Sequence, residues 1–498
     1  MSQDFQLLEA RTADVKVDMP WRRDRPYINP HATFLKNSKS GGSQLEHITA
    51  VIGKNGTGKS HLLSAIVQTF IELETAQARE GARPRPIPLD YLAYRKDGRE
   101  CVVTQDARKQ LSCTVDGLAV PHQDLPLPTR VVALTISPFD KFPVPRTLPR
   151  SVTPADESMY EYLGLRDRFG RASIQTLLYR SLNSLFDASE NEALRRSNIG
   201  AAFDFLGLKP TINVIYRLRT TSKIRKALSE NTGLSARNVL SPSQASRVQD
   251  VIKSGVPISE IGYLLDIAIS RAKKGLIETR ADFEGGGILD EMFLRLQPLR
   301  KAGFLNLTGV EVTHKNGIPS DLLSASSGQL SMISALVALA SVIKNGSLVL
   351  IDEPELSLHP EWQIKYIDLL VRTFARYLGC HFIVATHSPL VISELPAHAE
   401  AISLDNEALP PAEELKGQSA DFLLAEAFDT PNNGNLRVKE LIVQALRLVS
   451  LGKANSTEFS ERLTHLMRLS GRLDADDPSK SIVEGLQEVA RNAGKAVK

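Results

Sequence analysis

Four short, mainly apolar runs stand out along the chain: Ile48–Ile52, Arg130–Ile136, Ser347–Ile351 and His381–Thr386. Each breaks off at a polar turn instead of continuing, and runs of this length and composition read as strands, Ser347–Ile351 as one buried in a parallel sheet. Apolar positions with helical spacing fill much of the rest. They recur over His61–Val67, Met332–Leu339, Ile174–Leu185, Ile258–Ala268, Leu441–Val449 and Ile482–Val489. A third pattern is shorter: Tyr91–Tyr94, Cys101–Thr104 and Leu111–Val115 are broken by Lys96-Asp97-Gly98 and by Asp116-Gly117. Those breaks suit tight hairpins, so an antiparallel β subdomain is expected beside an α/β core.

The turns after the apolar runs carry the candidate chemistry. Gly53-Lys54-Asn55-Gly56-Thr57-Gly58-Lys59-Ser60 fits the G-x-x-x-x-G-K-[ST] pattern without a mismatch, with a strand before it and an amphipathic stretch after it. Glycines let the backbone turn where side chains would collide, so that successive N–H groups and a helix N-terminus face phosphates. The expected ligand is a nucleoside triphosphate, ATP, held by Gly53, Asn55, Gly56, Gly58, Lys59, Ser60 and His61. Lys59 is expected to reach the β- and γ-phosphates, and Ser60 to hold Mg²⁺. Ser347–Ile351 runs into Asp352-Glu353-Pro354, which places Asp352 to bind Mg²⁺ through its outer shell and Glu353 to orient or deprotonate the attacking water. His381–Thr386 delivers His387 at its tip, where an imidazole senses the γ-phosphate and steadies the water. The expected catalytic set is Glu353, His387 and Lys59.

Ala325-Ser326-Ser327-Gly328-Gln329-Leu330, lying before Asp352 and followed by the periodic stretch Met332–Leu339, resembles the signature of ABC ATPases. In that family the turn contacts the triphosphate held by a second subunit, which implies that Ser326, Ser327, Gly328 and Gln329 complete an ATP sandwich in a homodimer or higher homo-oligomer. Read alone, the same turn also serves as a helix cap. Glu355-Leu356-Ser357-Leu358-His359-Pro360 stands where the family carries its D-loop, and the run through Gln363 is similar to ABC ATPases of the SMC, RecF and OLD group. The resemblance covers 1–150 and 300–400 and implies an ABC-type P-loop ATPase head. Four parts are expected: lobe I at 1–150, an insertion at 151–295, lobe II at 296–405 and a helical C-terminal region at 406–498. One departure is plain. ABC heads carry a Gln after the strand that here is Arg130–Ile136, whereas this chain continues Ser137-Pro138-Phe139-Asp140. Either Ser137 or Asp140 completes the Mg²⁺ shell, or the loop only links the lobes.

Composition narrows the setting. A 498-residue chain with 42% hydrophobic residues can bury a large core. No run approaches the length needed to span a bilayer and the N-terminus lacks a secretory pattern, so a cytoplasmic protein without a membrane partner is expected. Cys101, Cys113 and Cys380 are too scattered for a disulfide framework or a zinc site. Charge is informative in its distribution: Glu161 to Arg280 holds 19 Lys and Arg against 11 Asp and Glu, within a chain whose total is only +3. Proline before this stretch and Gly285-Gly286-Gly287 after it mark linkers, and its helical spacing predicts a basic helical insertion too short for a long coiled coil. Arg217, Arg219, Lys223, Arg225 and Lys226 fall within ten residues without an acid. Phosphate backbones reward such clustering, which makes nucleic acid one candidate partner and an acidic protein surface the other. Trp21, Arg22, Arg23 and Tyr27 form a small aromatic and basic group that suits either adenine stacking or a surface.

Asp474-Ala475-Asp476-Asp477 resembles the acidic pair of OLD-type nucleases, but no α/β pattern precedes it and Pro478 favours a loop, so a turn between helices is expected and no nuclease. Three functions compete: a transporter subunit, a DNA-repair ATPase and an antiphage-defence ATPase. The insertion and the altered loop oppose the first. Ile136–Phe142, Leu296–Arg300 and Ser326–Gln329, with a helical tail, are similar to PtuA-type ATPases of Septu and retron systems, and more distantly to the AriA type. That resemblance implies a separate protein effector, such as an HNH nuclease, held and released by a slow, switch-like ATPase.

Overall fold

The computed structural model describes residues 4–13, 15–16, 27–35, 46–78, 85–145, 158–166, 192–229, 239–253, 255–284, 288–289, 292, 295–405 and 409–495. Trp21, Arg22, Arg23, Ile174–Leu185 and Gly285–Gly287 lie outside them. The chain divides into two compact units. One comprises Met1–Gly164, Lys344–Val371 and Tyr377–Lys498, and the other Leu165–Ile343 with Arg372–Arg376.

The first unit is built on a six-stranded sheet in the order Tyr160–Leu163, Arg130–Thr135, Ser347–Asp352, Cys380–Ala385, Glu46–Ile52, Glu400–Ser403, every neighbouring pair parallel. All residues of Arg130–Thr135, Ser347–Asp352 and Cys380–Ala385 are buried, which is why these strands are apolar on both faces. Register sets their ends level: Thr135 lies opposite Asp352, and Asp352 opposite Ala385. Polar residues that leave the sheet at that edge are therefore neighbours.

A second six-stranded sheet is antiparallel, in the order His31–Thr33, Phe5–Thr12, Leu89–Lys96, Arg99–Gln105, Leu111–Val115, Leu118–Val120. Two of its hairpins turn at Asp97-Gly98 and Asp116-Gly117. All four residues have positive φ, from 50° to 79°, the geometry that matches the twist of paired strands. The helix Lys59–Gln77 buries Leu63, Ile66, Phe70 and Leu73 in the core it shares with both sheets. Phe5, Phe70 and Tyr94 meet there with ring centroids 5.5 to 5.9 Å apart. His381, fully buried in the middle of the parallel sheet, accepts the Leu7 N–H at Nδ1 (2.9 Å) and meets Thr49 Oγ1 at Nε2 (2.9 Å). Burial holds it well below its usual pKa, so it stays neutral.

The C-terminal residues of this unit are helical, as expected: Ala412–Leu415, Ala420–Glu426, Leu436–Ser450, Thr457–Ser470 and Pro478–Lys495. The last three share a core of their own around Leu441, Ala445, Leu463, Leu466 and Leu486. Asp474 and Asp477 lie in the turn before the final helix. Asp477 accepts the N–H groups of Gly434 (2.8 Å) and Ser479 (2.7 Å), a capping role.

The second unit mixes helices and strands. To the expected helix, present as Ile258–Arg271, the structure adds a five-stranded antiparallel sheet: Ile288–Leu289, Leu276–Asp282, Leu208–Leu218, Leu305–His314 and Pro319–Asp321. Its central strand buries Ile212, Val214 and Tyr216 and turns the residues between them outward. The basic cluster is split accordingly. Arg217 is the last residue but one of that strand, Arg219 follows it, and Lys223, Arg225 and Lys226 ride on Ser222–Ser229.

Candidate functional site

Three turns at one edge of the parallel sheet supply the site, all within the first unit. After Glu46–Ile52 the chain turns through Gly53 (φ 151°), Gly56 (φ 86°) and Gly58 (φ 96°), values that side chains other than glycine resist. A Cβ on Gly53 would stand 2.9 Å from Thr57 Oγ1, so the first position of the loop is closed to any other residue. Asn55 and Gly56 are exposed at the tip, whereas Lys59 is only 4% exposed at the start of its helix. The Lys59 ammonium donates to the carbonyls of Gly53 (2.6 Å) and Lys54 (3.2 Å) and lies 3.3 Å from His387 Nδ1. Burial lowers its pKa to about 8 against the pull of Asp405, Asp352, Glu353 and Glu355. His61, half-buried on the same helix, is held below its usual value by burial and by Lys141.

From the end of Ser347–Asp352, one strand beyond Cys380–Ala385 in the sheet, Asp352 accepts a hydrogen bond from Ser60 Oγ at 3.1 Å. Burial raises its carboxyl to about 7, the Ser60 bond opposing, while Glu353, Asp140 and Glu355 add negative charge nearby. Glu353 follows in a left-handed conformation (φ 50°) with its N–H fixed on Ala385 O at 2.9 Å. Its Oε1 lies 3.8 Å from His387 Nε2. His387 is thus set between Lys59 and Glu353. Burial and the Lys59 charge lower its pKa to about 4, which leaves a neutral imidazole at pH 7.

Asp140 is buried in the loop after Arg130–Thr135, where it accepts the Phe142 N–H (3.0 Å) and the Tyr162 hydroxyl (2.9 Å). Ser137 Oγ accepts the Phe139 N–H at 3.2 Å. Of the two alternatives for this loop, Asp140 is the one whose charge bears on Asp352.

The structure therefore gathers Gly53, Gly58, Lys59, Ser60, Asp352, Glu353 and His387 at one place. Ser326, Ser327, Gly328 and Gln329 belong to the second unit. There Ser326 caps the buried helix Ser327–Val342 by accepting the Gln329 N–H at 3.3 Å, with Ser326 and Ser327 exposed. Two carboxylates escaped the sequence reading. Glu355, which in the sequence only opens a loop, accepts the His387 N–H at 2.6 Å and so sets the turn that aims the imidazole; burial raises its pKa. Asp405 accepts the Lys54 N–H at 3.2 Å. It lies just beyond the edge strand Glu400–Ser403, at the carboxyl end of the parallel sheet, where ligands collect.

Among the described residues no cluster of three or more His, Cys, Asp or Glu is arranged to hold a metal ion by itself. Mg²⁺ is usually bound by one or two protein oxygens together with phosphate oxygens and water. The donors here, a serine hydroxyl and a buried carboxylate crowded by further acids, are all oxygen and net negative, so they fit a hard divalent cation.

Residues 145–393, half of the chain, match the family model described as "AAA domain, putative AbiEii toxin, Type IV TA system". The glycine-rich loop lies before the matched stretch. Among curated relatives, "Retron Vc95 probable ATPase" of Vibrio cholerae serotype O1 biovar El Tor is 32% identical over 171 residues, 30% of this chain and 32% of that one. "Protein ea59" of Escherichia phage lambda is 32% identical over 132 residues, 24% of each. The matches thus span about a third or less of those relatives' length. Among solved structures, the SMC head domain from Thermotoga maritima aligns over 81% of this chain and 94% of that one, at 12% identity and a TM-score of 0.33. No helix among the described residues is long and apolar enough to cross a membrane.

Proposed function

We propose, for a chain that belongs to the AAA-domain family whose model it matches, that residues 53–60 grip the triphosphate of ATP and that the surrounding turns hydrolyse it. The observation that carries this reading is the convergence of Lys59, Ser60, Asp352, Glu353 and His387, with Ser60 Oγ 3.1 Å from Asp352 and His387 between Lys59 and Glu353. Backbone N–H groups of the loop and the N-terminus of the helix Lys59–Gln77 supply the anion site. Lys59 neutralises the developing phosphate charge, Glu353 orients and deprotonates water, and neutral His387 accepts from Lys59 while holding the γ-phosphate end in place. Ser60 and Asp352 would hold Mg²⁺, which supplies charge neutralisation of the phosphates.

We read the Ser326-Ser327-Gly328-Gln329 turn, exposed at its two serines, as the lid of a second copy's site, which makes the working form a homodimer around two ATP molecules. Hydrolysis is then slow, because each site needs both copies, and nucleotide acts as a conformational switch. The retron relative supports placing this ATPase in antiphage defence, with a separate effector such as an HNH nuclease as the partner it regulates. The test pairs two variants in hydrolysis, nucleotide-binding and light-scattering measurements. Glu353→Gln should accumulate ATP-bound dimers, and Lys59→Ala should abolish binding. Normal hydrolysis by both would remove the site assignment, and binding without any change of mass would remove the shared lid.

A further inference from the structure

Lys54 occupies the second position of the phosphate loop, and each of its polar groups is engaged. Its carbonyl accepts the Thr57 N–H (3.3 Å), Thr57 Oγ1 (3.0 Å) and Lys59 Nζ (3.2 Å), so the loop is folded around it. Its own N–H goes to Asp405 (3.2 Å). The side chain leaves the loop altogether, and its ammonium lies 3.3 Å from Asp429 Oδ2, in the turn after the helix Ala420–Glu426.

Asp429 does not serve Lys54 alone. Arg472 reaches the same oxygen from the end of Thr457–Ser470 at 3.2 Å, and Arg468 of that helix lies 3.9 Å from Oδ1. Arg468 also approaches Glu426 (3.8 Å), which binds Arg437 of Leu436–Ser450 (2.8 Å) and His465 (3.0 Å). Exposed ion pairs contribute little, but the side chains of Asp429 and Glu426 are 13% and 8% exposed. A shielded carboxylate that loses one of its cations must find another, so motion at either end is felt at the other. The helices bearing Arg437 and Arg468, the second of which runs on into the turn that holds Arg472, are packed on one apolar core, Leu441, Ala445, Leu463 and Leu466 among it, and so answer together.

We propose that Asp429 is a positioning residue for the phosphate loop. Through Lys54 it couples the conformation of residues 53–58 to that of the helices Leu436–Ser450 and Thr457–Ser470, so that nucleotide at the loop and the state of these helices change together. Such coupling is reciprocal: whatever docks on the helices alters nucleotide affinity by the same factor that nucleotide alters docking. The nucleotide half of this statement rests on the function proposed above, and the tether itself does not.

Amide hydrogen exchange on the full chain separates the two. Asp429→Asn keeps the shape and suits the backbone, since position 429 has φ 51° and asparagine tolerates that region. Without nucleotide, this variant should speed exchange in residues 53–58 by about fivefold or more, a coupling of ordinary size, while the strand Ser347–Asp352 is unchanged. Arg472→Gln, at a side chain 53% exposed, should do the same from the far end. With the Mg²⁺ complex of a non-hydrolysable ATP analogue, wild type should gain protection over 457–470 and Asp429→Asn should not. Unaltered exchange in 53–58 in both nucleotide-free variants overturns the tether. Equal protection of 457–470 in wild type and Asp429→Asn overturns the coupling. If wild type fails to bind the analogue, the function proposed above fails and the coupling with it, while a tether seen without nucleotide still stands.

Discussion

Two of the sheets differ in habit, the parallel one of the first unit and the antiparallel one of the second, and the contrast explains both what each offers and how readily it is seen. In the parallel sheet of the first unit, Ser347–Asp352 and Cys380–Ala385 are buried throughout and release Asp352, Glu353 and His387 at a common edge. Parallel order makes every strand end on the same side, so a site there is assembled from several turns without any of them being long. The antiparallel sheet of the second unit sends neighbouring strands in opposite directions. Its central strand buries Ile212, Val214 and Tyr216 and exposes Lys209 and Arg217, so it offers a surface where the other sheet offers a focus.

Breaking each sheet should sharpen that difference. Phe382, fully enclosed in the parallel sheet, should lose about 3–5 kcal/mol on Phe382→Ala, with nucleotide binding lost along with folding. Ile212→Ala in the other sheet should cost about 2–5 kcal/mol, yet leave nucleotide affinity at the loop unaltered. Thermal unfolding with parallel nucleotide titration measures both, and loss of affinity in Ile212→Ala would erase the contrast.

At the edge itself, the role proposed for His387 predicts that His387→Gln lowers kcat about 10²–10³-fold while the melting temperature hardly moves. Its titration has a defined sign. With a folded pKa of about 4 against a usual 6.5, the unfolded chain binds a proton that the folded protein refuses between those values, so stability from this group rises as pH climbs from about 4 to 6.5. A melting series over that range should therefore show a shallower rise in His387→Gln than in wild type. The smallest effect is expected in the second unit. Ser326→Ala removes the bond to the Gln329 N–H and should cost about 1 kcal/mol. If the shared lid is right, its effect on kcat will exceed its effect on stability.

The same contrast governs what the sequence disclosed. Ser347–Ile351 and His381–Thr386 are legible because burial on two faces demands an unbroken apolar run, and the glycine-rich loop because phosphate chemistry fixes residue types at fixed spacing. Asp97-Gly98 and Asp116-Gly117 announced their hairpins through the left-handed backbone they require. The strand Leu208–Leu218 was read as part of a helical stretch: its period of two is short and lies between basic residues that also suit a helix face. Glu355, Asp405 and Asp429 are unremarkable acids in sequence, and each gains its role from a partner that only folding brings near: His387 for the first, Lys54 for the other two.

Glu353 keeps a backbone conformation that side-chain-bearing residues avoid, at a cost of about 1–3 kcal/mol. Glycine there would relax the chain and asparagine would bear it well, so a survey of replacements at 353 should rank stability and turnover in opposite orders. Because the bond from its N–H to Ala385 O spans adjacent strands, the direction of this carboxylate is geared to any slippage between them.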